Sequence, residues 1–191
     1  MIKVKLTKNY TGFNIEGTFD DFYKLYENIY SILGYEQCKD LTEEDMRLHI
    51  LGFLYDLRHA YQGDRYIYTK DNRLCDYHKE IYGIGKSVKK DVMYAFDYVV
   101  PELILDILLF KYFALKNKNI SKYDSRYNMV MFFYSLVIES LGEILDNDKV
   151  NEIKALLDDT FMDETIFFKQ WFMKIAIDYI HMSPMKKKCE I

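Results

Sequence analysis

Hydrophobic residues recur at every second position near the start of this chain and at every third or fourth position through most of the rest. That change of period constrains the fold more than any other feature of the sequence. Ile2, Val4 and Leu6 alternate with Lys3 and Lys5, and Phe13-Asn14-Ile15-Glu16 alternates again after the turn residues Asn9-Tyr10-Thr11-Gly12. Two half-buried strands joined in this way predict a β-hairpin. Thr18 then suits an N-cap, with Asp20 and Asp21 in a first turn where the helix dipole favours negative charge. Phe22, Leu25, Tyr26, Ile29 and Leu33 follow at helical spacing up to Gly34, predicting an amphipathic helix.

A second helix is expected from Thr42, as an N-cap with Asp45 in a capping-box-like position, to Gln62, where Gly63-Asp64 stops it. Arg65 to Thr69 reads as a strand, Lys70-Asp71-Asn72 as a turn, and residues 75–82 as a short helix. Asp91 to Val99, rich in β-branched and aromatic residues, predicts a fourth strand. Pro101 suits the first position of a helix over 101–116, apolar nearly all round and therefore central and buried. Helical spacing continues over 125–146, 149–158 and 164–181, with the last helix ending before Ser183-Pro184. The layout is α+β, with a small, mainly antiparallel sheet of about four strands packed against five to six helices and a helical C-terminal half. No Pro/Gly/Ser-rich linker interrupts it. Residues 1–185 are therefore expected to form a single domain, followed by a basic, flexible tail at 186–191.

Composition excludes several classes. The chain has 191 residues, half of them hydrophobic and 17% aromatic, too much apolar surface for a disordered protein. The net charge is −4, and the basic tail Lys186-Lys187-Lys188 leaves the body more acidic still. Arg47, Arg58, Arg65, Arg73 and Arg126 are its only arginines and none adjoins another. Without a concentrated basic face, no nucleic-acid partner is expected. The most apolar stretch, Val99 to Leu115, contains Glu102, Asp106 and Lys111, so it predicts a buried helix and no membrane span. Cys38, Cys75 and Cys189 form no CxxC pair, which suggests a reducing, cytoplasmic setting.

Two constellations bear on chemistry. Gly83-Ile84-Gly85-Lys86-Ser87 ends like a phosphate-binding loop. However, Glu80 stands where that loop needs its first Gly, and a strand follows where a helix should. It is expected to be a Gly turn.

The second helix is more informative. At about 100° per residue, Asp45, His49, Gly52, Asp56 and His59 fall within a stripe roughly 80° wide. Met46, Ile50, Phe53, Leu54, Leu57 and Tyr61 occupy the opposite, core-facing sector. Asp56-x-x-His59 has the spacing by which helical bundles present a carboxylate and an imidazole to one metal ion, and Asp178-x-x-His181 repeats it. Gly52, costly inside a helix, leaves room for a close approach. Either the stripe is an ordinary polar helix face, or His49, Asp56 and His59 hold a divalent metal. The dense run from Tyr55 to Arg65 has the composition of a helix end, with Gly63 as its cap. The alternative is a ligand or partner surface made by Asp56, Arg58, His59, Tyr61, Gln62 and Asp64.

The hairpin with Asn9-Tyr10-Thr11-Gly12, the helix start Phe19-Asp20-Asp21-Phe22, and the run Tyr55-Asp56-Leu57-Arg58-His59-Ala60-Tyr61-Gln62-Gly63-Asp64 resemble an uncharacterised family of small bacterial proteins, known only as a domain of unknown function. A strand leading into Pro101-Glu102 is similar too. The resemblance covers roughly the first 117 residues, and the Arg-His-Ala-Tyr-Gln-Gly-Asp run is its most specific part. It implies no activity, cofactor or partner.

No catalytic motif is complete. The expected function is a cytoplasmic binding or interaction module without a cofactor, which meets a protein partner or a second copy through apolar helices. The alternative is a metal-dependent, hydrolase-like enzyme, in which metal held by His49, Asp56 and His59 activates water.

Overall fold

The computed structural model describes residues 1–34, 40–81, 83, 90–158 and 168–190. Most of the Gly83–Ser87 turn lies outside them, as does Cys38. The chain opens with the expected hairpin, β1 (Lys3–Leu6) and β2 (Gly12–Gly17), paired antiparallel with Lys3 opposite Glu16 and Leu6 opposite Phe13. β4 (Lys90–Val99) lies on the other side of β2, and β3 (Tyr66–Asp71) pairs antiparallel with β4, giving the order β1-β2-β4-β3. Gly12 is required in the register. A Cβ there would stand 2.6 Å from the Tyr98 carbonyl oxygen of β4.

Alternation along the strands sorts the sheet into two faces. Val4, Phe13, Ile15 and Phe96 are buried. The other face carries a polar ladder in which Glu16 accepts a hydrogen bond from the Tyr68 hydroxyl and pairs with Lys3 at 3.4 Å.

Helices cover the apolar face. α1 (Phe19–Leu33) begins in a full capping box: the Asp21 amide donates to Thr18 Oγ1 at 3.3 Å, and Asp21 Oδ2 accepts from the Thr18 amide at 3.0 Å. α2 (Leu41–Gln62) starts earlier than its sequence suggests, because Asp40 and not Thr42 is the cap. The Asp40 carboxylate accepts from the amides of Thr42 at 2.9 Å and Glu43 at 3.0 Å, a stronger acceptor for the helix's orphan donors than a hydroxyl. α2 stops at Gly63, whose φ of 96° is left-handed.

After α3 (Asp76–Ile81) and β4 come α4 (Val100–Lys116), α5 (Ser125–Gly142), α6 (Asn147–Asp158) and α7 (Phe168–His181). The sequence predicts a frayed basic end, but Pro184–Glu190 forms a further helix, α8. Lys187 is buried there, with its ammonium 5.7 Å from the centre of the Tyr179 ring and donating to Thr11 Oγ1 at 3.1 Å. The aliphatic stem of a lysine packs on apolar surface while its head finds an acceptor, so a charge run need not be solvated.

The core sits where α1, α2, α4 and α5 meet the sheet. Phe53 is at its centre, with ring centroids 5.9 Å from Phe96, 5.3 Å from Phe110 and 5.8 Å from Phe133. Phe22 packs edge-on against Phe96 at 5.8 Å. Edge-to-face pairs at this spacing add to the area they bury. α4 is as central as its apolar sequence implies. Among the described residues no helix is long and apolar enough to cross a membrane.

Candidate functional site

α2 and α4 pack against each other, and β4 runs straight into α4. Where they meet, a groove of about 470 Å³ opens, lined by Leu48, His49, Gly52, Tyr55 and Asp56 of α2, Tyr98 of β4 and Glu102 of α4. Helical spacing explains the α2 wall: His49, Gly52 and Asp56 stand at i, i+3 and i+7, on one face. The opposite face is pinned in the core by Met46, Ile50, Phe53, Leu54 and Leu57. Tyr98 shares the inner sheet face with Phe96, two residues before it, and its ring meets Phe53 edge-on at 5.3 Å. Glu102 and Asp106 are one helical turn apart on α4.

These groups meet at His49. Its Nε2 lies 3.2 Å from Glu102 Oε2 and 3.6 Å from Asp106 Oδ1. Asp106 is fully buried, with the Tyr98 hydroxyl as its hydrogen-bonding neighbour and the His49 imidazole facing its Oδ1. Burial drives the Asp106 carboxyl well above its ordinary range; the Tyr98 hydroxyl beside it opposes that shift and the Glu102 charge adds to it. Burial also raises Glu102. The Tyr98 phenol is pushed far upward, first by burial and then by the charges of Asp106, Glu102 and Asp56. Desolvation and mutual repulsion thus act together against ionisation in the cluster.

Gly52 faces the groove from mid-helix, and a Cβ on it would meet nothing within 4 Å. Its lack of a side chain answers no packing demand from the rest of the protein.

The residues predicted from sequence are divided among several roles. His49 and Asp56 line the groove. His59 does not: its Nδ1 pairs with Asp64 Oδ2 at 2.7 Å, and its ring lies 4.2 Å from that of Tyr55. Asp56 Oδ1 receives Arg65 at 2.5 Å. His49, Asp56 and His59 therefore have separate partners, and among the described residues no group of three or more His, Cys, Asp or Glu could hold a metal ion. Asp178 and His181 are both exposed on α7.

Arg58 lies over the Tyr55 ring at 5.7 Å. Tyr61 faces away from these residues, at the hub of a ring cluster with Phe19 at 5.3 Å and with Tyr23 and Tyr26 at 6.2 Å. Gln62 and Asp64 are exposed at the helix end, where the Asp64 amide donates to the His59 carbonyl at 2.9 Å.

Sequence reasoning missed Tyr98, Glu102 and Asp106. The available signal was a pair of acids at i, i+4 in a helix otherwise apolar nearly all round. It served only to argue against a membrane span.

The chain belongs to the family described as a domain of unknown function, DUF6904. The family model matches residues 2–191, so the kinship runs through α8 and not only over the N-terminal part that carries the resemblance. No curated protein and no solved structure matches the chain.

Proposed function

We propose that this family member is a binding module whose ligand is a small molecule seated in the groove between α2 and α4. The observation that carries the reading is Asp106, a fully buried carboxyl set beneath the groove beside His49 and Tyr98. A buried acid is an expensive way to fill a core, since apolar residues of similar size commonly stabilise the same position. Gly52 supports the same reading, because it weakens α2 where space is open above it. The groove's volume, about 470 Å³, lies within the range of small-molecule sites.

The test is amide NMR mapping with a set of water-soluble aromatic fragments. Hits are expected to shift Leu48, Gly52, Tyr55 and Tyr98 together, and Gly52→Leu, which would fill the groove, should abolish those shifts. Hits clustering elsewhere, or persisting unchanged in Gly52→Leu, would show that the groove is not the site.

A further inference from the structure

We infer that the groove takes a small organic cation, an ammonium or guanidinium head on an aromatic or aliphatic body, with Glu102 and Asp56 receiving the head. This rests on the groove being the binding site and adds the charge of the ligand.

The inventory of ionisable groups carries the inference. Asp56 and Glu102 line the groove, and Asp106 lies just beneath it, 3.6 Å from the His49 imidazole. The lining residues include no Lys or Arg, and His49 is the one member that can carry positive charge. His49 already directs Nε2 at Glu102 and Asp106. Arg65 is not part of the lining and reaches Asp56 alone. Asp56 thus has its own guanidinium, while Glu102 and Asp106 share one imidazole. An anionic ligand would add a fourth acid to this set, at a like-charge cost that a half-desolvated site magnifies. A neutral ligand would cover the acids without supplying a counter-charge. A cation with N–H donors supplies it and finds charge-assisted acceptors in Glu102 and Asp56.

The rest of the groove suits the body of such a ligand. Leu48 and Tyr55 are large apolar side chains, each about half exposed at the rim. The missing side chain at Gly52 leaves the α2 wall open between them and the acids.

Three probes share one hydroxyphenyl ring and differ in the head: tyramine is a cation, tyrosol is neutral and para-hydroxyphenylacetate is an anion. Calorimetry on the full chain should show tyramine binding about tenfold or more tighter than tyrosol, the scale of one hydrogen bond to a charged group. The anion should give no detectable binding. Glu102→Gln should erase the preference for tyramine, and Gly52→Leu should block binding altogether. Tyrosol or the anion binding as well as tyramine, yet blocked by Gly52→Leu, would overturn the cation assignment and leave the groove standing. If none of the three shifts the Leu48, Gly52 or Tyr98 amides at millimolar concentration, both readings fall.

Discussion

Asp106 shows most directly how one residue can oppose the fold that holds it. Its carboxyl is fully buried, and the groups facing it are His49 from α2, Tyr98 from β4 and Glu102 from its own helix. The folded state raises its affinity for a proton above the ordinary carboxyl value of 3.8. Such a group contributes stability below the unfolded value, where both states are protonated. It then takes stability away as pH rises, because the unfolded chain ionises first. Asp106→Asn should therefore gain on the wild type as pH goes from about 4 to about 7, reaching an advantage on the order of 1–3 kcal/mol. Urea unfolding at several pH values would measure it. An advantage for the wild type at neutral pH would mean that Asp106 is held as the anion by a protonated His49, and that the residue is a structural anchor. Nothing in the sequence near Asp106 announces His49, fifty-seven positions away, so this pair was not legible before the fold.

The glycines of α2 make a paired case at the scale of the element. Gly52 is helical, with open space where a Cβ would stand, whereas Gly63 has a φ of 96° and Ile67 Cδ1 3.2 Å from its would-be Cβ. Alanine at Gly52 should stabilise the protein by about 0.5–1 kcal/mol, the helix-propensity difference. Alanine at Gly63 should cost about 1 kcal/mol or more, since it strains a left-handed cap. Thermal denaturation of the two variants should move the midpoint in opposite directions. A loss at Gly52 would mean that its missing side chain serves packing and not access. Local pattern exposed much of this. The periods of two and 3.6, Thr18 before Asp21, and Gly63 after Gln62 are written in neighbouring residues, and they fixed α1, both hairpin strands and the end of α2. The α2 stripe with His49, Gly52 and Asp56 was legible for the same reason. What it faces was not, because the approach of α4 is decided by long-range packing around Phe53 and Phe110. The Asp40 cap was missed on a finer point: Asp and Thr both satisfy the cap pattern, and the carboxylate took the donors.

Across the whole molecule, the end of the described chain returns to its beginning. The Tyr179 hydroxyl donates to the Tyr10 carbonyl, and Lys187 donates to Thr11 Oγ1 at 3.1 Å, so α7 and α8 hold the turn between β1 and β2. From the other side, the Val100 amide, at the start of α4, donates to the Thr11 carbonyl at 3.1 Å. The turn is thus clamped between the last helices and the junction from which Tyr98 and Glu102 enter the groove. Gly12 and Phe13 pair with Val99 and Tyr98 in the same register. A chain shortened to end at Ser183 loses Lys187, and Tyr179→Phe loses the hydroxyl, worth about 0.5–1.5 kcal/mol as a hydrogen bond. Both should lower hydrogen-exchange protection at Tyr10 to Gly12, with a smaller effect reaching Tyr98. Protection at the turn unchanged in both variants would show that β4 and α4 alone hold it. Loosening that spread evenly over the core, with none concentrated at the turn, would instead assign α8 a global part in stability. The expected local pattern follows from the contacts. The polar contacts of the clamp fall on the turn of the hairpin, and Tyr179→Phe keeps the ring that packs in the core, so losing the hydroxyl frees one end of the sheet while the interior keeps its packing.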